Sequence, residues 1–222
     1  MNSLTVFFDV GGTLQETTSF FEGIAKRLTG KKSDDKTRYL FSKMFVQLLN
    51  NTDRYQSVED ILANSLALFA KKHKYADISG EAHNIYFNAF LYEAKLFPDT
   101  SRVLDILYRN NVRMIIASDA DVELMEEELV KYDIKKYFID VCTSGLVRAY
   151  KPSDKFVDYL RKYTANNEIN CYFVGDRGVD IECGKKLGIK SILVDRTNSK
   201  EQMDADYIIH DLRELLPILG LK

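Results

Sequence analysis

The spacing of apolar residues divides the chain into three stretches. Residues 4–8 form a continuous β-rich run, LTVFF, which is typical of a strand buried in a parallel sheet. Between residues 17 and 95, apolar side chains recur with a period of 3.6 instead, which predicts four amphipathic helices arranged as a small bundle. Ser57 is the predicted N-cap of the third helix. The apolar positions of these helices fall at 20–28, 40–49, 58–69 and 85–90.

From Phe97 onward, short β-rich runs alternate with helical patterns. This alternation predicts an α/β fold, in which a Rossmann-like parallel sheet has helices on both faces and right-handed crossovers. The predicted strands lie at 112–117, 139–143, 171–174 and 191–194.

Three polar side chains come directly after a predicted strand, or one residue beyond it: Asp9, Ser118 and Asp176. The carboxyl ends of parallel strands meet at one edge of a sheet, where ligands bind at a topological switch point. We therefore expect these three side chains to converge on one site.

The chain length favours one core with an insertion. At 222 residues it exceeds a typical domain of roughly 100 to 150 residues but is short for two full ones. We predict an α/β core from residues 1–14 and 96–222, with residues 15–95 inserted as a helical cap that covers the converging strand ends as a lid.

Composition and charge limit the classes of partner. Lysine and arginine number 31 and aspartate and glutamate 33, so the net charge of −2 creates no broad field for nucleic acid or anionic lipid. No apolar run approaches the roughly 20 residues of a membrane span, and we expect a cytoplasmic protein. The three cysteines show no CxxC spacing, so neither a disulfide framework nor a zinc site is indicated. A small molecule is the expected partner.

Asp9 is the candidate nucleophile. It ends the first β-rich run and is followed by VGGTL. A carboxylate at a strand end can attack a phosphoryl group and form an aspartyl-phosphate, provided that a cation offsets the negative charge of both. Gly11 and Gly12 lack a Cβ, so the backbone can turn sharply there and approach a ligand closely.

Two later segments carry groups suited to phosphate and to a metal. The Ser118 hydroxyl and neighbouring backbone N–H groups, including that of Asp119, can hold phosphate oxygens, although Ser118 equally suits a helix N-cap. Asp176 and Asp180 are four residues apart, which predicts that they share one face of a helical first turn. Carboxylate oxygens are hard ligands that suit Mg²⁺, although acids at this position also complement a helix N-terminus.

Together with Lys151, which precedes Pro152, these segments resemble the motifs of the haloacid dehalogenase-like hydrolases. The resemblance covers essentially the whole predicted core, whereas the cap matches only in position and helical character. It implies a Mg²⁺-dependent phosphatase that acts on a small phosphorylated molecule. It also implies that Lys151 neutralises the charge of the nucleophile and the transferred group, and that Asp9, the carbonyl of Gly11 and Asp176 bind the metal, with Asp180 as an outer ligand or support. The implied phosphate-binding residues are Gly12, Thr13, Ser118, Asp119 and Lys151.

One position departs from that family's phosphatase pattern. Gly11 stands where the pattern has a second aspartate that acts as general acid and base. We expect activity that is weak, or specialised for acidic leaving groups. A phosphonatase or dehalogenase and a non-catalytic protein that binds phosphate or metal are the alternatives; a phosphonatase would use a cap lysine, and Lys26, Lys36 and Lys43 are available. The sequence leaves the physiological substrate, any protein partner and the oligomeric state open.

Overall fold

The computed structural model describes residues 4–31, 34–50, 54–164, 170–198 and 203–221. Within these residues, six parallel strands form one sheet in the order β3-β2-β1-β4-β5-β6. The predicted Rossmann-like α/β core is thereby confirmed, and the three-residue strand β6 was not predicted. The strands are β1 (Thr5–Phe8), β2 (Arg113–Ser118), β3 (Asp140–Thr143), β4 (Cys171–Gly175), β5 (Lys190–Val194) and β6 (Tyr207–Ile209).

Each central strand is buried on both faces, because alternate side chains pack into separate apolar layers. In β1, Val6 and Phe8 join one layer, whereas Phe7 joins the other. The same alternation holds in β2 and β4. The helices of this part of the chain are α5 (Thr100–Arg109), α6 (Val122–Lys131), α7 (Ser144–Val147), α8 (Asp154–Arg161), α9 (Gly178–Leu187) and α10 (Leu215–Ile218).

Residues 18–93, which we call the helical insert, follow β1 and form a second apolar cluster built around Phe41, Leu62 and Leu66. The four predicted helices are confirmed, and the Ser57 hydroxyl accepts a hydrogen bond from the backbone N–H of Asp60 as predicted. The fourth helix ends in a π-helical turn, Ala89–Glu93. The insert consists of α1 (Thr18–Thr29), α2 (Asp35–Asn50), α3 (Val58–His73) and α4 (Ala82–Asn88) with that turn.

The chain enters and leaves the insert through two adjacent segments beside the carboxyl end of β1. The backbone N–H of Glu16 donates to the carbonyl of Lys95 at 2.9 Å, and that of Phe97 donates to the carbonyl of Leu14 at 3.0 Å. Gln15 forms β-bridges with both Gly11 and Leu96. This pairing ties the base of the insert to the turn that follows Asp9. Among the described helices, none is long and apolar enough to cross a membrane.

Candidate active site

A buried lysine holds two carboxylates together at the carboxyl end of the sheet. The ammonium of Lys151 donates to Asp9 Oδ1 at 2.7 Å, to Asp180 Oδ1 at 2.6 Å and to the Ala117 carbonyl at 3.0 Å. A lysine ammonium has three donors, so these acceptors use all of them and fix its position. The side chains of Lys151 and Asp180 are almost completely buried.

Asp9 is placed by the tight turn that follows β1. The carbonyl of Val10 accepts hydrogen bonds from the backbone N–H groups of Thr13, Leu14 and Gln15. The Thr13 hydroxyl donates to Asp9 Oδ2 at 3.4 Å. This turn therefore presents the Asp9 carboxylate toward the space above the sheet.

Gly12 is required in this turn for two reasons. Its φ of +82° lies in the left-handed region, and a Cβ would stand 2.1 Å from Oδ2 of Asp176. A Cβ on Gly175 would similarly stand 2.3 Å from the Asp180 carboxyl carbon. Because both positions are glycines, Asp176 lies directly against the turn that follows Asp9, and Asp180 lies directly against the end of β4.

The acidic pair is brought together differently from the prediction. Asp180 lies in the first turn of α9, but Asp176 lies in the loop between β4 and that helix, so the predicted shared helical face is wrong. The loop bends because Asp180 Oδ2 accepts a hydrogen bond from the backbone N–H of Arg177 at 3.0 Å. Asp180 thus serves the helix N-terminus and the Lys151 cluster at once.

The cluster carries more negative than positive charge. Burial raises the pKa of Asp9 to about 6, although the Lys151 ammonium opposes the shift. Burial and the charges of Asp9 and Asp180 raise the pKa of Asp176 well above its usual value. Burial lowers the pKa of Lys151, but the carboxylates of Asp180 and Asp9 outweigh it and raise the pKa overall. A further cation would therefore stabilise the ionised carboxylates.

The donor set fits a magnesium ion. One carboxylate oxygen from each of Asp9, Asp176 and Asp180 lies within 4.8 Å of the others. Asp176 Oδ1 is buried and has no hydrogen-bond partner within the described residues, a costly state that a cation would relieve. Mg²⁺ takes carboxylate oxygens together with water and phosphate. Gly11 lies in the wall of the same cavity as Asp9 and Asp176.

The Ser118 segment reaches the same place from β2. Ser118 ends that strand and lines the cavity beside Asp9, whereas α6 begins only at Val122, after Asp121. The carboxylate of Asp119 accepts a hydrogen bond from the backbone N–H of Lys151 at 2.9 Å. Because this carboxylate positions Lys151, the group of Asp119 that remains for an anion is its backbone N–H.

A cavity of about 170 Å³ extends from the acidic cluster to the helical insert. Its floor includes Asp9, Ser118 and Asp176, and its other walls are mainly apolar. The apolar wall residues come from both the insert and the sheet side: Phe20, Phe21, Phe45, Val46, Leu49, Val58, Phe90, Leu124 and Met125.

Several residues of the site have no motif that identifies them. Arg177 lines the cavity, and its guanidinium lies 3.7 Å from the Asp119 carboxylate. Arg196 donates to the Thr13 carbonyl at 2.8 Å and forms an ion pair with buried Asp99. Arg196 thereby supports the turn after Asp9 from outside the cavity. Glu128 is the one with a sequence signal, because it lies four residues after Leu124, on the buried face of α6.

One family model and two relatives of known name match most or nearly all of the chain. Residues 6–194 match the family model described as haloacid dehalogenase-like hydrolase. The glyceraldehyde 3-phosphate phosphatase of Methanocaldococcus jannaschii is 25% identical over 224 residues, which cover 96% of both chains. The pyrophosphatase PpaX of Oceanobacillus iheyensis is 22% identical over 228 residues, which cover 99% of this chain and 98% of the relative.

Solved structures share the fold over the full chain. The magnesium-bound HAD-hydrolase YfnB of Bacillus subtilis superposes with a TM-score of 0.82, 17% identity and complete coverage of both chains. The L-2-haloacid dehalogenase of Xanthobacter autotrophicus has a TM-score of 0.77 and 16% identity, with 98% of each chain covered. At these identities the likeness concerns the fold.

Proposed function

Since this chain belongs to the haloacid dehalogenase-like hydrolases, we propose that it is a Mg²⁺-dependent phosphatase with Asp9 as nucleophile. The observation that carries the proposal is the buried Asp9–Lys151–Asp180 cluster, with Asp176 beside it, beneath a cavity that also reaches Ser118. We further propose that residues 1–14 and 96–222 form the core domain and residues 15–95 a cap domain.

The residues divide the chemistry in the following way. The Asp9 carboxylate attacks the phosphorus atom, the ester oxygen leaves, and a water molecule later releases phosphate from the aspartyl group. Lys151 offsets the negative charge of Asp9 and of the transferred phosphoryl group. The Ser118 hydroxyl and the backbone N–H groups of Gly12, Thr13 and Asp119 hold phosphate oxygens.

Asp9, the Gly11 carbonyl and Asp176 would hold the metal, and Asp180 would support it by fixing Lys151. When bound, Mg²⁺ neutralises charge that develops on the phosphoryl oxygens and orients them for attack. The unpaired Oδ1 of Asp176 and the raised pKa of Asp9 support this assignment, because both are unfavourable without an added cation.

Gly11 limits which esters are cleaved well. General acid and base catalysis typically contributes 10²- to 10⁴-fold, about 3 to 5 kcal/mol of barrier. Without a carboxylate at this position, an alkoxide would leave unprotonated. Aryl and acyl phosphates have acidic leaving groups that need less protonation, so we propose that they are cleaved faster than alkyl phosphates.

The cavity and the relatives support a small phosphorylated substrate. Drug-sized ligands occupy pockets of roughly 300 to 1,000 Å³, and the cavity here has about 170 Å³. Both relatives described above are named for phosphate-releasing activities on small molecules.

Two alternative reactions fit the site less well. Carbon–phosphorus cleavage would need an imine-forming lysine in the cavity. The three cap lysines considered above, Lys26, Lys36 and Lys43, are exposed and are not among the residues that line it. The resemblance implies that a dehalogenase of this family works without a metal, which would give no role to the unpaired Oδ1 of Asp176.

The proposal is tested by measuring hydrolysis of p-nitrophenyl phosphate with Mg²⁺ and after chelation. We expect Asp9→Asn and chelation each to abolish hydrolysis, while the exposed control Asp158→Asn keeps the native rate. Hydrolysis that survives chelation or Asp9→Asn would contradict the proposal. Tight binding of phosphate without any turnover would instead favour the non-catalytic alternative.

A further inference from the structure

Two buried polar side chains line the cavity and do not belong to the acidic cluster. Gln15 is 1% exposed and Glu128 is 4% exposed, and both line the cavity wall. Gln15 follows the Asp9 turn, and Glu128 lies on α6. Neither residue has a part in the chemistry described above.

The orientation of the Gln15 amide leaves its oxygen without a partner. Its Nε2 donates to the Phe90 carbonyl and to the Tyr132 hydroxyl, each at 3.3 Å. The Phe90 carbonyl can only accept, and the Tyr132 hydroxyl itself donates to the Ala94 carbonyl at 2.5 Å. Because the amide nitrogen is held on that side, Oε1 is an acceptor that nothing fills.

The Gln15 side chain lies within hydrogen-bonding reach of the Glu128 carboxyl group, yet in the part of the chain that the structure describes Oε1 of Glu128 has no partner either. Among the described residues, Oε1 of Gln15 and Oε1 of Glu128 are both buried and have no hydrogen-bond partner. Buried acceptors without partners are rare in folded proteins, and a ligand is one of the causes that explain them. A bound group that donates hydrogen bonds would pair both oxygens, whereas an apolar group would leave them unpaired.

We propose that Gln15 and Glu128 form a subsite for the alcohol part of the substrate, and that they select small phosphomonoesters whose alcohol carries a hydrogen-bond donor, a hydroxyl or an ammonium group. This inference rests on the proposed phosphatase function for the placement of the phosphate at Asp9. The apolar walls accommodate the short carbon chain between the two ends. A leaving group that ends in a carboxylate or a second phosphate is disfavoured, because it adds an acceptor and a negative charge beside Glu128.

The test compares four esters of similar size that differ at the end remote from phosphate. Glycerol phosphate carries hydroxyls, phosphoethanolamine an ammonium, propyl phosphate no donor and phosphoglycolate a carboxylate. Binding to the Asp9→Asn protein with Mg²⁺ is measured by calorimetry, so that hydrolysis does not interfere. We expect the two donor-bearing esters to bind at least about tenfold more tightly than propyl phosphate, and phosphoglycolate to bind most weakly.

Two variants assign the preference to the proposed residues. Gln15→Met keeps the approximate shape and removes the acceptor, so the advantage of both donor-bearing esters should fall. At pH 8, where Glu128 is ionised, Glu128→Gln removes its negative charge, so the affinity for phosphoethanolamine should fall more than that for glycerol phosphate, and the affinity for phosphoglycolate should rise. The control variant Glu127→Gln changes an exposed neighbour of Glu128 and should leave the order of affinities for the four esters unchanged.

The inference and the proposed function can fail separately. If the native protein shows no Asp9-dependent hydrolysis of p-nitrophenyl phosphate, the proposed function is wrong. The order of affinities is measured separately, in the Asp9→Asn protein, which is not expected to hydrolyse the esters. Propyl phosphate binding as tightly as the donor-bearing esters overturns the subsite. Failure of all four esters to bind, or an order that neither variant changes, overturns it equally.

Discussion

Gly11 lies in the wall of the candidate active-site cavity beside Asp9 and Asp176, in a backbone conformation outside the left-handed region. A Cβ there would meet Thr17 Cγ2 at 3.1 Å, a contact that a shift of a few tenths of an ångström relieves. A carboxylate side chain can therefore be introduced at this position without backbone strain.

Gly11→Asp should increase cleavage of an alkyl phosphate by about 10²-fold or more, because it supplies the proton that the leaving alkoxide needs. The ratio of kcat/KM for an alkyl and an aryl phosphate reports this effect. Gly11→Asn has nearly the same shape and cannot transfer the proton, so an equal gain in that variant would contradict the explanation.

A second prediction concerns the free energy of unfolding and Glu128. Burial raises the pKa of Glu128 to about 7 from the model-peptide value of 4.5, although the Gln15 amide and the Lys131 charge oppose the shift. Because the raised value belongs to an acid, ionisation is harder in the folded state. Burial of Glu128 therefore has no effect on the free energy of unfolding below pH 4.5, lowers it progressively as pH rises from 4.5 to about 7, and lowers it by a constant amount above that pH.

Glu128→Gln should raise the free energy of unfolding by about 3 kcal/mol at pH 8, at 1.36 kcal/mol per unit of pKa shift. The corresponding rise in Tm is about 6 to 12 °C at pH 8 and much smaller at pH 5. Thermal unfolding of this variant and of Glu127→Gln across that range is the measurement. A rise that is equal at both pH values would show that the carboxylate charge is not its cause.

At the scale of elements, Asp121 links the sheet to the helical insert. Its carboxylate accepts hydrogen bonds from the backbone N–H groups of Val58 at 3.1 Å and Glu59 at 3.0 Å, which begin α3. The Tyr55 hydroxyl donates to it at 3.3 Å. The first turn of α3 is thus capped twice, by Ser57 within the insert and by an acid that precedes α6.

Removing either cap should destabilise α3 by about 1 kcal/mol, but only Asp121→Ala removes the link to the sheet. We expect Asp121→Ala to accelerate amide hydrogen exchange at Val58 and Glu59 and to raise KM, because the insert opens more readily over the site. Ser57→Ala should accelerate exchange mainly at Asp60. Equal effects of both variants on KM would show that Asp121 acts only as a local cap.

At the scale of the whole molecule, a metal ion held by the acidic cluster would couple its binding to folding. Asp9 follows β1, Asp176 follows β4 and Asp180 lies in α9, so the ligands assemble only when the sheet is complete. A ligand that binds only the folded state stabilises it by mass action.

Mg²⁺ at about one hundred times its dissociation constant should therefore add about 2.7 kcal/mol of stability, a rise in Tm of roughly 5 to 10 °C. Asp176→Asn should abolish this rise, whereas the exposed control Asp158→Asn should retain it. A Mg²⁺-dependent rise that persists in Asp176→Asn would place the ion elsewhere.

Much of this protein follows from local sequence pattern. The strands were predicted because burial on both faces makes short runs continuously apolar, and the helices because burial of one face imposes a period of 3.6. Asp9, Ser118 and Asp176 were predicted to converge because each follows a strand and parallel strands share a carboxyl edge. The four insert helices and the Ser57 cap were read in the same way.

Other features depended on distances between segments far apart in sequence. Only the sheet order and the packing of α6 bring Gln15 and Glu128 into one cavity, and only the path of the loop after β4 separates Asp176 from the helix that carries Asp180. Local sequence pattern determined which apolar residues are buried and which elements they form. The tertiary structure decided which buried polar atoms meet and which lack a partner, because pairing depends on the positions of atoms and not on their order along the chain.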